Sequence, residues 1–196
     1  AVSGLLVEKI GGDSVRPYQP EGLWEELAGG ANNGPYEHDK GDDLYRRSLY
    51  TYRKRTVSHP TVSTFDAPSW EICQLKRGRT NTPLQSLALL NDVTYVEAAK
   101  KLAERMMLSG AESAESRIRY GFVLAVLREP TKHEITTLIG GYNEYRRYYS
   151  ENSEAAKELL ATGEAKVDES LPADQLAAMT SVASVLLNLD EVVTKE

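Results

Sequence analysis

Hydrophobic residues recur at intervals of three and four from Pro83 to the end of the chain. This spacing predicts amphipathic α-helices, because it places the apolar side chains on one face. The predicted helices span about 83–91, 93–108, 114–128, 132–149, 154–162 and 173–189. The third of these, 114–128, is apolar on several sides, so we expect it to be central and buried.

Local signals support several of these helix boundaries. Thr82, Pro83 and Gln85 form a capping box with proline at the first helical position. Asp92 is the predicted N-cap of the next helix, and Thr131 with Glu134 forms a second capping box. The pair at 140–141 places two glycines inside a helix, which predicts a neighbour packed closely against them.

The part of the chain before Pro83 is predicted to be irregular. It contains six of the eight prolines and nine of the fourteen glycines when Pro83 itself is counted. Residues 1–10 are interpreted as the end of a helix closed by a glycine C-cap at Gly11. A loop follows to residue 41, with a short helical turn at 22–27 in which Trp24 is predicted to plug the core.

Residues 44–55 read best as a strand, with a helix as the alternative, and 57–65 is its expected hairpin partner. The predicted fold class is therefore mainly α. It is an irregular helical domain with a Gly/Pro-rich N-terminal third and one small β-hairpin, followed by a bundle of about five to six helices. The chain is interpreted as one domain, or as the C-terminal lobe of a larger domain, with a loop-rich part at 1–82 and a helical part at 83–196.

Composition and charge narrow the function classes. The 196 residues are 41% hydrophobic and 27% charged, as in an ordinary globular protein. The net charge of -6 argues against general nucleic-acid affinity. The charge is uneven, since Lys40–Arg79 holds nine basic and four acidic residues (+5) and Glu151–Glu196 holds three and ten (-7). The basic middle is suited to a polyanion, a carboxylate ligand or the chain's own acidic tail.

The single cysteine, Cys73, excludes an intrachain disulfide and a zinc framework. No apolar run reaches about 18 residues, so the sequence predicts no membrane span. The N-terminus has no basic region followed by an apolar one, and hence no signal peptide, and it does not begin with Met. A processed or excised chain is expected.

Catalytic and metal sites have little support in the sequence. His59, Asp66 and Cys73 are the residue types of a nucleophilic triad, but a buried structural cysteine is the favoured interpretation. The three histidines are scattered, and the acidic segment 37–43 lacks the spacing of a calcium loop. We predict no catalytic residue, no metal site and no cofactor within this chain.

The strongest functional candidate is a group of basic residues interleaved with tyrosines. Arginine forks bind carboxylate, sulfate and phosphate, and the helix start at Pro83 adds free N–H groups. Tyr45, Tyr50 and Tyr52 are of the type that stacks on sugars or bases. The basic group comprises Arg46, Arg47, Arg53, Lys54, Arg55, Lys76, Arg77 and Arg79.

The alternative is that these arginines brace the irregular region by pairing with Asp66, Asp92 and the acidic tail, and we favour it. Asn81, Gln85 and Asn91 would then fasten the loop to the helix. The residues predicted to contact a ligand, if one binds, are Arg46, Arg47, Asp66, Arg77, Arg79, Asn81, Gln85 and Asn91.

Four segments carry a resemblance to a known family. They are GLLVEKIGGDSVRPYQPEGLWEEL (4–27), SLYTYRKRT (48–56), TFDAPSWEICQLKRGRTNTPLQSLALLNDVTYVEAAKKLAERM (64–106) and SVASVLLNLDE (181–191). The chain resembles the C-terminal domain of unknown function of large, mostly planctomycete proteins that often carry a cytochrome c-like haem domain. Two positions depart from the family's pattern. One is Val93, where the family often has proline, and the other is the turn at Ser58–His59. The matching motif positions are Asp66, Arg77, Arg79, Thr80, Thr82, Pro83, Gln85 and Asn91.

This resemblance implies a segment that starts part-way into the domain and forms the C-terminal end of a longer protein. It also implies export to the periplasm or outside the cell, a haem held in a separate domain, and the other domains of the parent protein as partners. It supplies no catalytic residue.

Three interpretations of function follow. The first is a noncatalytic helical module of an exported, haem-associated protein that acts in assembly or in binding an anionic polysaccharide. The second is a lobe of an enzyme that acts on acidic or sulfated glycans, with Asp66 and the arginines in its cleft. A cleft with a strongly shifted carboxylate pKa near Asp66 would favour this second interpretation. The third, nucleic-acid binding at the arginine–tyrosine segment, is the least favoured.

Overall fold

The computed structural model describes residues 1–24, 35–54, 58–68 and 73–194. Within them the chain is mainly α-helical, as predicted, and it contains no sheet. Two compact units are present: a loop-rich unit, Leu6–Gln85, and a helical unit, Ala1–Leu5 with Ser86–Glu196. The described α-helices are α1 (Pro60–Thr64), α2 (Pro83–Asn91), α3 (Val93–Met107), α4 (Ala114–Val126), α5 (Lys132–Glu151), α6 (Ser153–Ala161), α7 (Ala173–Leu187) and α8 (Asp190–Val193).

Helix α7 is the centre of the helical unit. It packs against α3, α4, α5 and α6 and is buried almost all round, from Leu176 to Leu186. The predicted central helix, α4, instead buries one stripe that contains Ile118, Gly121 and Phe122. The prediction that α4 is central was wrong. Helix α7 takes the central position because it is rich in alanine and serine. Their small side chains let four helices approach it, and the spacing of large apolar residues does not reveal this.

The predicted helix starts are confirmed. The Thr82 N–H donates to Gln85 Oε1 at 3.0 Å, and the Gln85 N–H donates to Thr82 Oγ1 at 3.3 Å. Asp92 accepts from the Thr94 N–H at 2.9 Å. Thr131 and Glu134 form the second capping box. Each satisfies backbone donors that a helix N-terminus leaves without intrahelical partners.

The expected close neighbour of the glycine pair in α5 is not observed. A Cβ on Gly140 would meet nothing within 4 Å, and one on Gly141 would meet only the Tyr145 ring of the same helix, at 3.8 Å. The close helix approach lies instead at Gly121, where a Cβ would overlap the Met106 side chain of α3.

Two charged residues of α3 lie inside the helical unit. Lys100 is buried and donates to the carbonyls of Leu160 and Thr162, at 3.1 and 2.6 Å. Glu97 is buried and accepts from the Ala165 N–H at 2.7 Å. Burial lowers the pKa of Lys100, with the Glu97 carboxylate opposing that shift. The two side chains fasten the loop after α6 to α3.

The described part of the loop-rich unit contains the short 3-10 helices Gly41–Tyr45 and Ser48–Tyr50. Isolated parallel bridges there join Val7 with Arg46 and Val15 with Thr51. The predicted hairpin is therefore wrong. Residues 44–45 and 48–50 of its first strand are 3-10 helix, and 60–64 of its second strand is α-helix. Part of it, 55–57, lies outside the described residues. The predicted helix within 1–10 is also wrong, because the Val7 N–H donates to the Tyr45 carbonyl at 3.0 Å rather than within a helix.

Aromatic rings and cations contact one another around Trp24 in the loop-rich unit. Trp24 is buried, as predicted, and its ring lies 5.3 Å from that of Tyr36 and 6.1 Å from that of Tyr52. The Lys54 ammonium lies 4.8 Å from the Trp24 ring centroid, and the Arg16 guanidinium lies 5.1 Å from that of Tyr52. Such contacts strengthen when water is excluded. The rest of the predicted turn, 25–27, lies outside the described residues.

Among the described helices, none is both long and apolar enough to cross a bilayer.

Candidate functional site

A cavity of about 350 Å³ lies in the loop-rich unit between segments 48–53 and 58–68. One part of its wall is polar and the other is apolar. The polar residues are Ser48, Thr51, Tyr52, Arg53, Ser58, His59 and Ser63, and the apolar ones are Leu49, Val62, Ala67 and Pro68. Ser48, Leu49 and Ser58 are exposed, so the cavity opens to solvent at that side.

Two nitrogen-bearing side chains of the wall are each bonded to a backbone carbonyl. His59, at the start of α1, contacts the Tyr18 carbonyl through Nε2 at 2.9 Å. Because a carbonyl only accepts, the Nε2 atom carries the proton. Arg53 donates from Nη1 to the Pro68 carbonyl at 3.2 Å and so joins the two lining segments.

The turn after α1 leads directly into the apolar wall. Asp66 adopts a left-handed backbone conformation, with φ of 58°, and the Ala67 N–H donates to the Val62 carbonyl at 3.1 Å. The Asp66 carboxylate accepts from the Thr80 N–H at 2.7 Å and from the Thr80 hydroxyl at 2.9 Å. Asp66 is therefore held by the loop that precedes α2.

Arg77 and Gln85 bind the same turn from the same loop. Arg77 donates from Nε to the Asp66 carbonyl at 2.7 Å and from Nη2 to the Phe65 carbonyl. Gln85 is buried and donates to the Thr64 carbonyl at 2.9 Å and to Thr80 Oγ1 at 3.0 Å. Three predicted site residues, Asp66, Arg77 and Gln85, thus belong to one hydrogen-bond network.

Hydrogen bonds set the protonation of Asp66. The Thr80 N–H and then the Thr80 hydroxyl are the main causes that lower its pKa, and Gln85 and the Arg77 charge act in the same direction. A general acid at neutral pH needs a raised pKa. The shift therefore does not support the enzyme interpretation, in which this carboxylate would work in a cleft.

Arg46 is buried and acts as a clamp on the backbone. Its guanidinium donates to the carbonyls of Lys9 at 2.9 Å, Gly11 at 2.6 Å and Asp13 at 3.2 Å, and it lies 3.9 Å from the centroid of the Tyr50 ring. These contacts occupy both terminal nitrogens. The geometry favours the bracing interpretation for this residue.

The other predicted site residues lie apart from that network. Arg47 is exposed and lies 3.6 Å from the Glu8 carboxylate. Arg79 is exposed and makes no hydrogen bond or ion pair with the described residues, and Asn81 is also exposed. Asn91 belongs to the helical unit and donates to the Leu87 carbonyl of its own helix, at 2.9 Å. That these residues contact a ligand stays a prediction, and Arg55 lies outside the described residues.

The residues of the considered nucleophilic triad have separate surroundings. Cys73 is exposed, so the expectation of a buried structural cysteine was wrong. Asp66 bonds to Thr80, whereas His59 bonds to Tyr18. No group of three or more His, Cys, Asp or Glu side chains in the described part of the chain is arranged to hold a metal ion.

A second cavity, of about 220 Å³, lies in the helical unit. Its walls are mainly apolar and aromatic, from Leu90, Val96 and Leu159 to Tyr145 and Tyr149, with Ser and Thr hydroxyls from α7. Among the described residues it has no charged group to orient a ligand. The cavity with Arg53 and His59 is the better candidate.

Sequence reasoning did not find this cavity. It named Arg53 and His59 but assigned the surrounding segments to a hairpin, which would have placed alternate side chains on opposite faces. The available signal was SHPTVST (58–64), where hydroxyl-bearing residues surround a proline that can start a helix.

Residues 1–140 match a protein family described as PSD1, protein of unknown function (DUF1553). The match covers the whole loop-rich unit and continues into α5. No curated protein and no solved structure matches the chain.

Proposed function

We propose, from the premise that the chain belongs to the PSD1 (DUF1553) family of unknown function, that its loop-rich unit binds an acidic saccharide without transforming it. One observation carries the proposal: the cavity combines hydroxyl groups, a guanidinium, an imidazole and an aromatic ring around one opening. Its volume of about 350 Å³ is at the small end of ligand pockets, which suits one end or one short segment of a glycan.

The wall chemistry matches an acidic sugar. Serine and threonine hydroxyls both donate and accept, as do the hydroxyls of a sugar ring. The Tyr52 ring and the apolar residues offer contact to the C–H faces of such a ring. Arg53 supplies the positive fork that carboxylate and sulfate groups bind best.

The absence of acidic side chains favours binding over hydrolysis. Among the described residues, no Asp or Glu lines the cavity. Most glycoside hydrolases need two carboxyl groups on either side of the bond they cleave. The enzyme interpretation therefore has less support than a binding module, and nucleic-acid binding has less still, given the net charge of -6.

The wider setting is also a proposal and is supported by the family resemblance alone. The parent protein is exported to the periplasm or beyond, carries haem in a separate domain, and packs its other domains against this one. Fractionation of cells that produce the full-length protein tests the export. Recovery from the periplasm or medium agrees with it, whereas recovery from the cytoplasm contradicts it.

Thermal unfolding tests the binding site. We expect oligomers of galacturonic acid to raise the midpoint, because a ligand that binds only the native state stabilises it by mass action, and neutral oligomers of the same length to raise it less. Arg53→Met should abolish the shift, and Ser63→Leu, which places a larger apolar side chain in the cavity wall, should do so without removing a charge. Arg147→Met is the matched control, since it removes an exposed arginine of the helical unit.

Two results would contradict the proposal. One is a midpoint that no uronic or sulfated oligomer raises. The other is an equal loss of the shift in Arg147→Met and Arg53→Met, which would indicate general charge attraction rather than a site.

A further inference from the structure

We infer that Thr80, Arg77 and Gln85 are positioning residues that set the wall of the cavity, through the turn at Asp66. This inference rests on the proposed function, because it explains how a site for a ligand is shaped. None of the three residues lines the cavity. They act on 64–66, and the next two residues, Ala67 and Pro68, form the wall.

Successive backbone groups of the turn are held one by one. The Thr64 carbonyl accepts from Gln85, and the carbonyls of Phe65 and Asp66 accept from Arg77. Arg53 adds a fourth bond, to the Pro68 carbonyl, from the opposite lining segment. Side chains here supply the hydrogen bonds that a regular helix or strand would obtain from its own backbone.

The conformation of Asp66 is the reason that these bonds matter. A non-glycine residue in the left-handed region is strained, although Asp tolerates this conformation better than most residues. The bonds from Thr80 to the carboxylate compensate for that strain. If they are removed, Asp66 relaxes toward another backbone conformation, and the chain leaves it in a different direction. Ala67 and Pro68 would then move.

The network is anchored on the first turn of a helix. Gln85 is buried in the first turn of α2 and is fixed there by its two bonds to Thr82. Thr80 accepts from Gln85 through the same oxygen that donates to Asp66. The bonds from Gln85 of α2 to Thr80, and from Thr80 to Asp66, therefore determine where the wall lies.

The experiment compares Thr80→Val with Tyr36→Phe. Valine keeps the shape of threonine and removes the hydroxyl that bonds to Asp66. Tyr36→Phe removes a comparable hydrogen bond of the same unit, from the Tyr36 hydroxyl to the Pro17 carbonyl, and neither residue lines the cavity. Calorimetry with trigalacturonic acid measures affinity, thermal unfolding measures stability, and hydrogen exchange measures protection of the Ala67 N–H.

We expect Thr80→Val to weaken binding about tenfold, which corresponds to one lost hydrogen bond. Thr80→Ser, which restores the hydroxyl, should recover most of the affinity. Tyr36→Phe should lower the unfolding midpoint without changing affinity. The inference would be overturned if the wild-type protein binds trigalacturonic acid and the Thr80→Val protein binds it with the same affinity.

The exchange measurement separates this inference from the proposed function. If the wild-type protein binds no acidic saccharide, the proposed function fails, and the positioning role is judged on the Ala67 N–H alone. Faster exchange there in Thr80→Val, but not in Tyr36→Phe, supports the positioning role. Equal exchange in both variants overturns it.

Discussion

The buried carboxyl group of Glu97 lies directly against the α-carbon of Gly163. A Cβ at residue 163 would overlap the Glu97 carboxyl group, and the φ of Gly163 is +73°. This contact allows the loop after α6 to reach α3, where the Ala165 N–H binds the same carboxylate.

Gly163→Ala should therefore destabilise the helical unit. We expect a loss of about 3 kcal/mol, from the collision together with the left-handed backbone. In a chain of this size this lowers the unfolding midpoint by about 10 °C. Gly110→Ala is the control, since Gly110 has φ of +78° and a Cβ there would meet nothing within 4 Å. Equal losses in the two variants would show that the contact with Glu97 is unimportant.

Gly140→Ala should stabilise the protein. The residue is exposed inside α5, a Cβ there meets open space, and alanine is better than glycine in a helix by about 1 kcal/mol. We expect the midpoint to rise by about 3 °C. Gly121→Ala, also within a helix, should lower it because the added methyl overlaps Met106. A fall with Gly140→Ala would mean that α5 needs its glycine.

Arg46→Lys should destabilise the loop-rich unit by about 2 kcal/mol. A single ammonium on a flexible chain cannot reproduce a fork that binds three carbonyls and stacks on Tyr50. Urea unfolding measures the loss. Arg47→Lys, at the neighbouring exposed residue, should change stability by less than about 0.5 kcal/mol. If both variants behave alike, the clamp contributes nothing.

Stability should fall as the pH is lowered from about 4.5 to about 2. The bond from Arg128 and then that from the Thr131 N–H lower the pKa of Glu134 from 4.5 to about 2. The unfolded chain therefore takes up a proton in this range and the native protein does not, so the stabilisation is complete above the range and is lost through it. Urea unfolding across this range measures the slope.

Glu134→Gln should reduce that slope, since the amide oxygen still accepts from Thr131 but carries no charge. Glu154→Gln, in the exposed pair with Lys157, is the matched control. An unchanged slope in Glu134→Gln would show that the interaction with Arg128 does not depend on the carboxylate charge.

The helix boundaries could be predicted because their causes are local. A capping box such as Thr82 with Gln85 involves four consecutive residues, and so the sequence contains the whole interaction. The same holds for Asp92 and for Thr131 with Glu134. The order and lengths of the helices followed from such signals and from the spacing of apolar residues.

The loop-rich character of the N-terminal part was predicted, but its internal contacts could not be, because they join residues that are distant in sequence. Arg46 binds carbonyls 33 to 37 residues away, and His59 binds a carbonyl 41 residues away. Alternation of polar and apolar residues at 44–55 suggested a strand of a hairpin, whereas the backbone of this segment pairs at single bridges with Val7 and Val15, more than 30 residues earlier in the chain. The glycine–glycine pairs were misread for a related reason, since glycine permits several conformations and its neighbours decide which one is used.

Some residues of the candidate site could be predicted, but its cavity could not. The sequence singled out Asp66, Arg77 and Gln85, and the structure joins them, but in a network that braces a turn. The cavity beside that turn depends on how two loop segments face each other, for which neither periodicity nor composition is informative.

The first five residues belong to the helical unit, although the rest of that unit begins only at Ser86. The Val2 carbonyl accepts from Arg105, 103 residues along the chain, and Val2 packs against the helical core. Contacts of such sequence separation form late in folding, because a long loop must close before they add any stability. The helices from α3 to α7 are therefore expected to assemble first, and attachment of the N-terminal segment to complete the unit as a separate, slower step.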